Sequence, residues 1–433
     1  MTALGRSATV VLAAALLPQP RPTPRIIPGP EVVVSRGEDF AHVETMLAAD
    51  PGSSRRLLAS TIILPQGRGD GSTWRTRTYV SGDAGVSWKA SLPPDEGSSD
   101  SVVAFTPRGT ALLAFLSPPQ RLSVVRSDDG GAAWHGRIDL PFTDGAMIGV
   151  DWTSGGRRGH VYLAGRRGEE RTDPIVVYRS SDDGRTFEAA VAIERPIVGR
   201  VLDVMVLNDS TLIVPFSTRI SREAELIQCV RSSDGGRTFS QPIEIVTRPV
   251  DTEGRYGDIA APAFASGPHA GGERLYAVYT VTAGEPHARL VRRRSDDGGR
   301  TWSQPAPIAP STDARATHGA ASVTANRSGV VGISWLERTI GPGPTGDPEC
   351  DRWSCFNEID DLFFAASLDG DVFLPPVRIA SQSSRPRSKH ASRFLPGFDY
   401  MLNAAAADGA FHLLWPDARS GVFQLYASTV RVR

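Results

Sequence analysis

One eight-residue pattern, Ser-x-Asp-x-Gly-x-(Thr/Ser)-(Trp/Phe), recurs along the chain and limits the possible folds more than any other feature. It reads SGDAGVSW from Ser81, SSDDGRTF from Ser180, SSDGGRTF from Ser232 and SDDGGRTW from Ser295. SDDGGAAW from Ser127 has Ala133 at the hydroxyl position, and SLDGDVF from Ser367 is a shortened sixth copy. Successive first serines stand 46, 53, 52, 63 and 72 residues apart, a period that suits a four-stranded sheet with its turns, repeated around an axis. At 433 residues the chain exceeds one ordinary core unless that core is a closed barrel or a repeat array.

Each copy has the same setting. A β-branched run precedes it, such as RLSVVR (121–126), PIVVYR (174–179) or LIQCVR (226–231), and a short apolar run such as PIEIV (242–246) follows. This reads as strand, tight turn, strand. Glycine supplies the positive φ of the turn, aspartate accepts backbone N–H groups of its own loop, and the aromatic residue covers the hairpin end. The acidic pairs lack the later ligands of a calcium-binding loop, so the octapeptide reads as a folding staple.

These octapeptides resemble Asp-boxes, the bacterial neuraminidase repeats of sialidases, other glycoside hydrolases and non-enzymatic propellers. The resemblance covers nearly all of the chain after its first residues. It implies an all-β fold, a β-propeller, with the repeats on the rim remote from an active face. Polar-led inner strands begin near 42–50, 101–105, 146–152, 201–207, 258–264, 318–325 and 399–408. That count gives seven four-stranded blades, with six as the alternative. The seventh has three strands, and EVVVS (31–35) pairing with 424–432 supplies the fourth and closes the ring.

The starts of the inner strands converge at one channel mouth. They carry His42 and Glu44, Asp100, Asp144, Arg200 with Asp203, Arg255-Tyr256-Gly257-Asp258, Arg315 with His318, and Asp399-Tyr400 with Asn403. Such a set suits a polyhydroxylated or anionic ligand, although channel mouths are wet and polar in any propeller. The sialidase resemblance implies Tyr400 or Tyr256 as nucleophile, Glu44 as its base and Asp258 or Asp399 as acid. It further implies Arg255 and Arg315 as anion-binding groups, while Arg200, Asp203, His42 and His318 are ligand-binding candidates by their position at the strand starts. The family's aromatic-Arg-Ile-Pro signature has its nearest match in PRIIP (24–28), which has one residue too many and no leading aromatic, and it reads as coincidence.

Formal net charge is −1, which gives no reason to expect nucleic acid or an anionic membrane as partner. All but two of the 47 basic residues are arginine, so arginine near a pocket carries little weight. Residues 1–24 read as a secretory signal with a proline-rich linker, and 25–433 as a single propeller domain in a secreted or periplasmic monomer. The apolar stretch near the N-terminus is too short to span a bilayer. Arg292-Arg293-Arg294 reads as a solvated strand edge, Cys229 as a buried small hydrophobe, and Cys350 with Cys355 as a loop-closing disulfide. WPDARSG (415–421) reads as a hairpin turn, and Trp353, in the long 341–361 loop, as a sugar-stacking or partner-binding residue. No cofactor or metal motif occurs. Two functions follow: a glycoside hydrolase acting through channel-mouth acid and nucleophile residues, or a non-catalytic propeller that binds a glycan or protein.

Overall fold

The computed structural model describes residues 24–433 except 66–71, 92–96, 120, 143, 168–173, 194–198, 222–223, 250–260, 282–287, 309–314, 341–357, 386–402 and 406. No helix occurs among the described residues. The chain begins with β1 (Ile26–Pro28) and β2 (Val32–Val33). Blade 1 follows as β3 (Ala41–Ala49), β4 (Leu57–Leu64), β5 (Arg75–Ser81) and β6 (Lys89–Ser91). Blade 2 comprises β7 (Ser99–Phe105), β8 (Ala111–Ser117), β9 (Arg121–Ser127) and β10 (His135–Pro141). Blade 3 comprises β11 (Asp144–Val150), β12 (Val161–Arg166), β13 (Ile175–Ser180) and β14 (Val191–Ala192). In blade 4 the innermost strand is split into β15 (Gly199–Val201) and β16 (Met205–Val206), followed by β17 (Leu212–Arg219), β18 (Ala224–Ser232) and β19 (Ile243–Pro249). Blade 5 comprises β20 (Ala263–His269), β21 (Gly272–Val281), β22 (Arg289–Ser295) and β23 (Ala306–Pro307). Blade 6 comprises β24 (Thr317–Ala325), β25 (Val331–Ile340), β26 (Glu358–Ser367) and β27 (Val377–Arg378). Blade 7 has β28 (Asn403–Ala405), β29 (Phe411–Asp417) and β30 (Gln424–Val432), with β1 and β2 both paired to β30.

The result is a seven-bladed β-propeller of antiparallel sheets, closed by its two chain ends. Ile27 lies opposite Arg431 and Val33 opposite Tyr426, while Arg25 and Arg433 exchange two backbone hydrogen bonds. PRIIP is thus an outermost strand. The closure is reinforced by Arg419, whose guanidinium joins Asp417 (2.5 Å) to Glu31 (3.1 Å) across the turn after β29. The inner strand of blade 5 starts at Ala263, five residues later than the expected 258.

Every sheet is apolar on both faces, because a blade packs against a neighbour on each side. The buried clusters accordingly join blades, as where Leu202, Ile213 and Cys229 of blade 4 meet Phe264, Leu275 and Ala277 of blade 5. Cys229 is buried in this seam, and burial pushes its thiol up to about 12. The arginine run is not a solvated strand edge but a paired one. Arg292 and Arg294 alternate onto one face of β22, where Asp371 from the blade 6 turn binds both (2.9 and 3.2 Å), and Arg293 reaches the Tyr279 hydroxyl.

Five of the octapeptide turns share one hydrogen-bond scheme, and the shortened Ser367 copy keeps its serine-to-aspartate bond and two backbone bonds to Asp369. In the Ser295 copy the serine hydroxyl donates to Asp297 Oδ1 (2.8 Å) and accepts from Gly299 N (2.8 Å). Asp297 also accepts from Arg300 N, Thr301 N and the Thr301 hydroxyl (2.9, 2.9 and 2.6 Å). Gly299 sits at φ +84°, which a side chain rarely adopts. In the Ser127 copy, Ala133 keeps the backbone bond to Asp129 and has no hydroxyl to offer. Because the strands alternate in direction, a turn after the third strand lies at the end of the blade opposite the start of the first.

Candidate functional site

The innermost strands β3, β7, β11, β15, β20, β24 and β28 surround the axis, and among the described residues no further strand pairs with their axial edges. Five of them carry a one-residue bulge near the start. Between Val43 and Met46 of β3, between Ser99 and Val102 of β7, between Asp144 and Met147 of β11 and between Gly319 and Ser322 of β24, two residues face one on the partner strand. In blade 4 the extra residue falls between Val201 and Met205. A bulge re-aims side chains and strengthens the local twist.

The bulge residues adopt left-handed backbone: Glu44 (φ 53°), Asp100 (44°), Gly145 (64°) and Ala320 (46°). Three of them carry a β-carbon, and such a conformation costs on the order of 1–3 kcal/mol, held in place by the surrounding sheet. Glu44 and Asp100 thereby place half-buried carboxylates at the starts of adjacent inner strands.

Asp203 occupies the bulge of blade 4. Although the residue retains some exposed area, burial pushes its carboxyl up to about 7, and the hydrogen bond it accepts from Val204 N (2.7 Å) pulls only weakly the other way. The bulge is wedged against blade 3. A β-carbon on Gly149 would lie 2.5 Å from the Val204 carbonyl oxygen, so only glycine allows this approach. Arg200 precedes the bulge on β15, and a β-carbon on Gly145 would lie 3.7 Å from its β-carbon. Beyond it Glu225 is bound by Arg248 (2.7 Å). Burial raises the Glu225 carboxyl, but Arg248, Ser217 and Arg200 together hold it below the usual carboxylate range.

The two histidines among the expected ligand residues are each engaged at a seam with the neighbouring blade. His42 is fully buried, with Nδ1 3.2 Å from the Phe423 carbonyl oxygen and Nε2 2.9 Å from Glu38 Oε2. His318 accepts from Leu290 N through Nδ1 (3.3 Å), and its Nε2 lies 3.3 Å from Glu337. Arg315 is exposed just before β24. Arg255, Tyr256, Asp258, Trp353, Asp399 and Tyr400 lie outside the described residues, as do Cys350, Cys355 and residues 1–23. Asn403 is described only as part of β28.

A tyrosine–glutamate couple unsuspected from the sequence joins Tyr79 and Glu38. The Tyr79 hydroxyl donates to Glu38 Oε2 (2.5 Å), and Arg77 holds Oε1 (2.9 Å). Burial, then the Glu38 hydrogen bond and charge, raises the Tyr79 hydroxyl far above its ordinary range, so this phenol keeps its proton. It stands on the third strand of its blade and braces the seam with blade 7. Glu38 precedes β3 by only three residues, but nothing local marks a partner 41 positions away.

Among the described residues no group of three or more His, Cys, Asp or Glu is placed to hold a metal ion, and no helix is long and apolar enough to cross a membrane.

No family model and no curated protein matches the chain. Among solved structures, a protein of unknown function from Dyadobacter fermentans aligns over 95% of this chain and 100% of its own, at 14% identity and a TM-score of 0.51. A leech intramolecular trans-sialidase aligns over 70% of this chain and 66% of its own (10% identity, TM-score 0.48). A Penicillium chrysogenum alpha-L-arabinanase aligns over 77% and 92% (17% identity, TM-score 0.47). At these identities the likeness is one of fold.

Proposed function

We propose that the channel mouth at the bulged ends of the inner strands binds a glycan, and that the chain is a sialidase-like glycoside hydrolase with Asp203 as its general acid. The observation that carries this reading is the Asp203 carboxyl at about 7 on an inner strand. A carboxyl half-protonated at neutral pH can give its proton to a departing glycosidic oxygen, where an ordinary carboxylate cannot. The resemblance of the six turns to Asp-boxes supports the same reading, since it leaves the opposite end of the blades for a ligand. In this scheme Glu44 is the carboxylate available as base to a nucleophile, Tyr256 or Tyr400, with Asp258 and Asp399 as further acids. Arg200, Arg255, Arg315 and Trp353 contact the glycan. The N-terminal stretch supports export.

A second reading, a propeller that binds a glycan or protein without turning it over, is favoured by one feature. The tyrosine–glutamate couple found among the described residues, Tyr79–Glu38, holds its proton in place. Turnover of a panel of aryl glycosides, a sialoside and an arabinofuranoside included, separates the two. The hydrolase reading expects turnover that falls by about 10²–10⁴ in kcat in Asp203→Asn, with loss of the limb set by an acid near pH 7. Absence of turnover across the panel, with binding intact by calorimetry, selects the binding propeller.

A further inference from the structure

We infer that the seam where the ring closes holds a second, carbohydrate-binding site, shaped for one pyranose ring and separate from the channel mouth. The strand that closes blade 7 is interrupted. Gly29 passes so close to Thr429 that a β-carbon would lie 2.8 Å from its carbonyl oxygen, and Pro30 follows with no N–H for the ladder. The chain re-pairs at Val32 and Val33, then turns away over 34–37 toward blade 1. The outer part of the seam is therefore not filled by side chains from either blade.

What remains is a cleft of about 250 Å3 lined by Val32, Val33 and Val34 on one side and Tyr79, Ser87, Trp88 and Ala90 on the other, with Ser35, Arg36 and Glu38 completing it. That is below the roughly 300–1,000 Å3 of drug-sized sites and matches a single sugar ring. Ala90 lies directly opposite Tyr79 in the ladder, so both face blade 7. Trp88 packs at the edge of the apolar cluster formed by Tyr79, Val34 and Leu425, and its Nε1 is already bound to the Gly85 carbonyl oxygen.

The chemistry of this lining is two-sided. Valines and an indole offer an apolar wall, and Glu38 offers a carboxylate. A pyranose has the matching halves, a C–H face that packs on an aromatic ring and an edge of hydroxyl donors. Glu38 accepts from Arg77 through Oε1 and from Tyr79 and His42 through Oε2, which leaves acceptor capacity on Oε1 for a ligand hydroxyl. Burial works against its charge, yet His42, Tyr79 and Arg77 hold it below the usual range, so it stays an acceptor at neutral pH. A purely apolar ligand would desolvate that carboxylate and the Arg36 guanidinium without return.

The test uses the full chain and millimolar methyl α-D-galacto-, gluco- and mannopyranoside in saturation-transfer NMR. The expected result is transfer to the ring C–H protons of at least one glycoside. That signal should disappear in Ala90→Trp, fall at least tenfold in Trp88→Ala and persist in Asp203→Asn. Ala90 is exposed, so its replacement fills the cleft without touching the core, and it decides the matter if Trp88→Ala folds poorly. No transfer from any of the three sugars, or transfer unchanged in Ala90→Trp, overturns the inference. Transfer lost in Asp203→Asn but kept in Ala90→Trp also overturns it, by placing the sugar in the channel and leaving the proposed function intact.

Discussion

Asp297→Ala removes the hub of one octapeptide turn and nothing else of size. Four donors lose their acceptor: the Ser295 and Thr301 hydroxyls and the backbone N–H groups of Arg300 and Thr301. Hydrogen bonds to a charged group contribute about 1.5–3 kcal/mol when buried. This turn is half-exposed and water replaces part of what is lost, so about 0.5–1 kcal/mol each, or roughly 2–4 kcal/mol together, is the expected cost. For roughly 400 residues the unfolding entropy turns 3 kcal/mol into a fall in Tm of about 3–4 °C by calorimetry. Its pH dependence is a second signature. The Asp297 carboxyl is pulled down to about 2: burial opposes its charge, but the Thr301, Ser295 and Arg300 bonds outweigh it. A depressed carboxyl stabilises the fold above its unfolded value near 4 and loses that contribution as pH falls through 2. The gap between wild type and Asp297→Ala should therefore shrink by at least half between pH 7 and pH 2. Asp296→Ala, next door, should cost under about 1 kcal/mol, because its exposed carboxylate accepts no backbone N–H of the turn and pairs only with the Arg274 and Arg294 side chains. If Asp297→Ala abolished ligand binding or turnover while leaving Tm unchanged, the turns would not be staples, and the placement of function at the opposite end would fall.

Three further substitutions probe other parts of the fold. Arg338→Met strands Asp360, its buried bidentate partner (2.7 and 3.0 Å), and should cost about 3–5 kcal/mol in urea unfolding, most of it regained in Arg338→Met/Asp360→Leu. Burial pushes the His412 imidazole down to about 4, so the unfolded chain takes up a proton first and stability should fall by up to about 3 kcal/mol as pH drops from 6.5 toward 4. His412→Leu should flatten that window in pH-dependent thermal melts. Asp203 acts in the opposite sense: folded, it holds its proton to about 7, so stability should fall as pH rises from 4 to 7, and Asp203→Asn should be about 2–4 kcal/mol more stable than wild type at pH 8.

The blades were legible because their determinants are local. A serine, an aspartate two residues on and a glycine two beyond that build a turn without help from elsewhere, and the alternating runs on either side can only be strands. The closing strand was legible by subtraction, since EVVVS had no other partner. The site was not, for two physical reasons. Glu44, Asp100 and Ala320 take a left-handed backbone that glycine would have announced and these residues do not. The Asp203 carboxyl owes its shift to burial against blade 3, which its own neighbours in sequence do not reveal. Tyr79, Glu38 and His42 likewise meet only once the first and third strands of blade 1 lie in one sheet. Arg292 and Arg294 misled because their partner, Asp371, belongs to the next blade.

Carbon-detected NMR titration of the protein labelled at aspartate carboxyl carbons, with Asp203 assigned by its absence in Asp203→Asn, bears most directly on the functional account. The account predicts a midpoint near 7 that moves when a glycoside occupies the channel mouth. A midpoint near 4, unmoved by any glycoside, would contradict it.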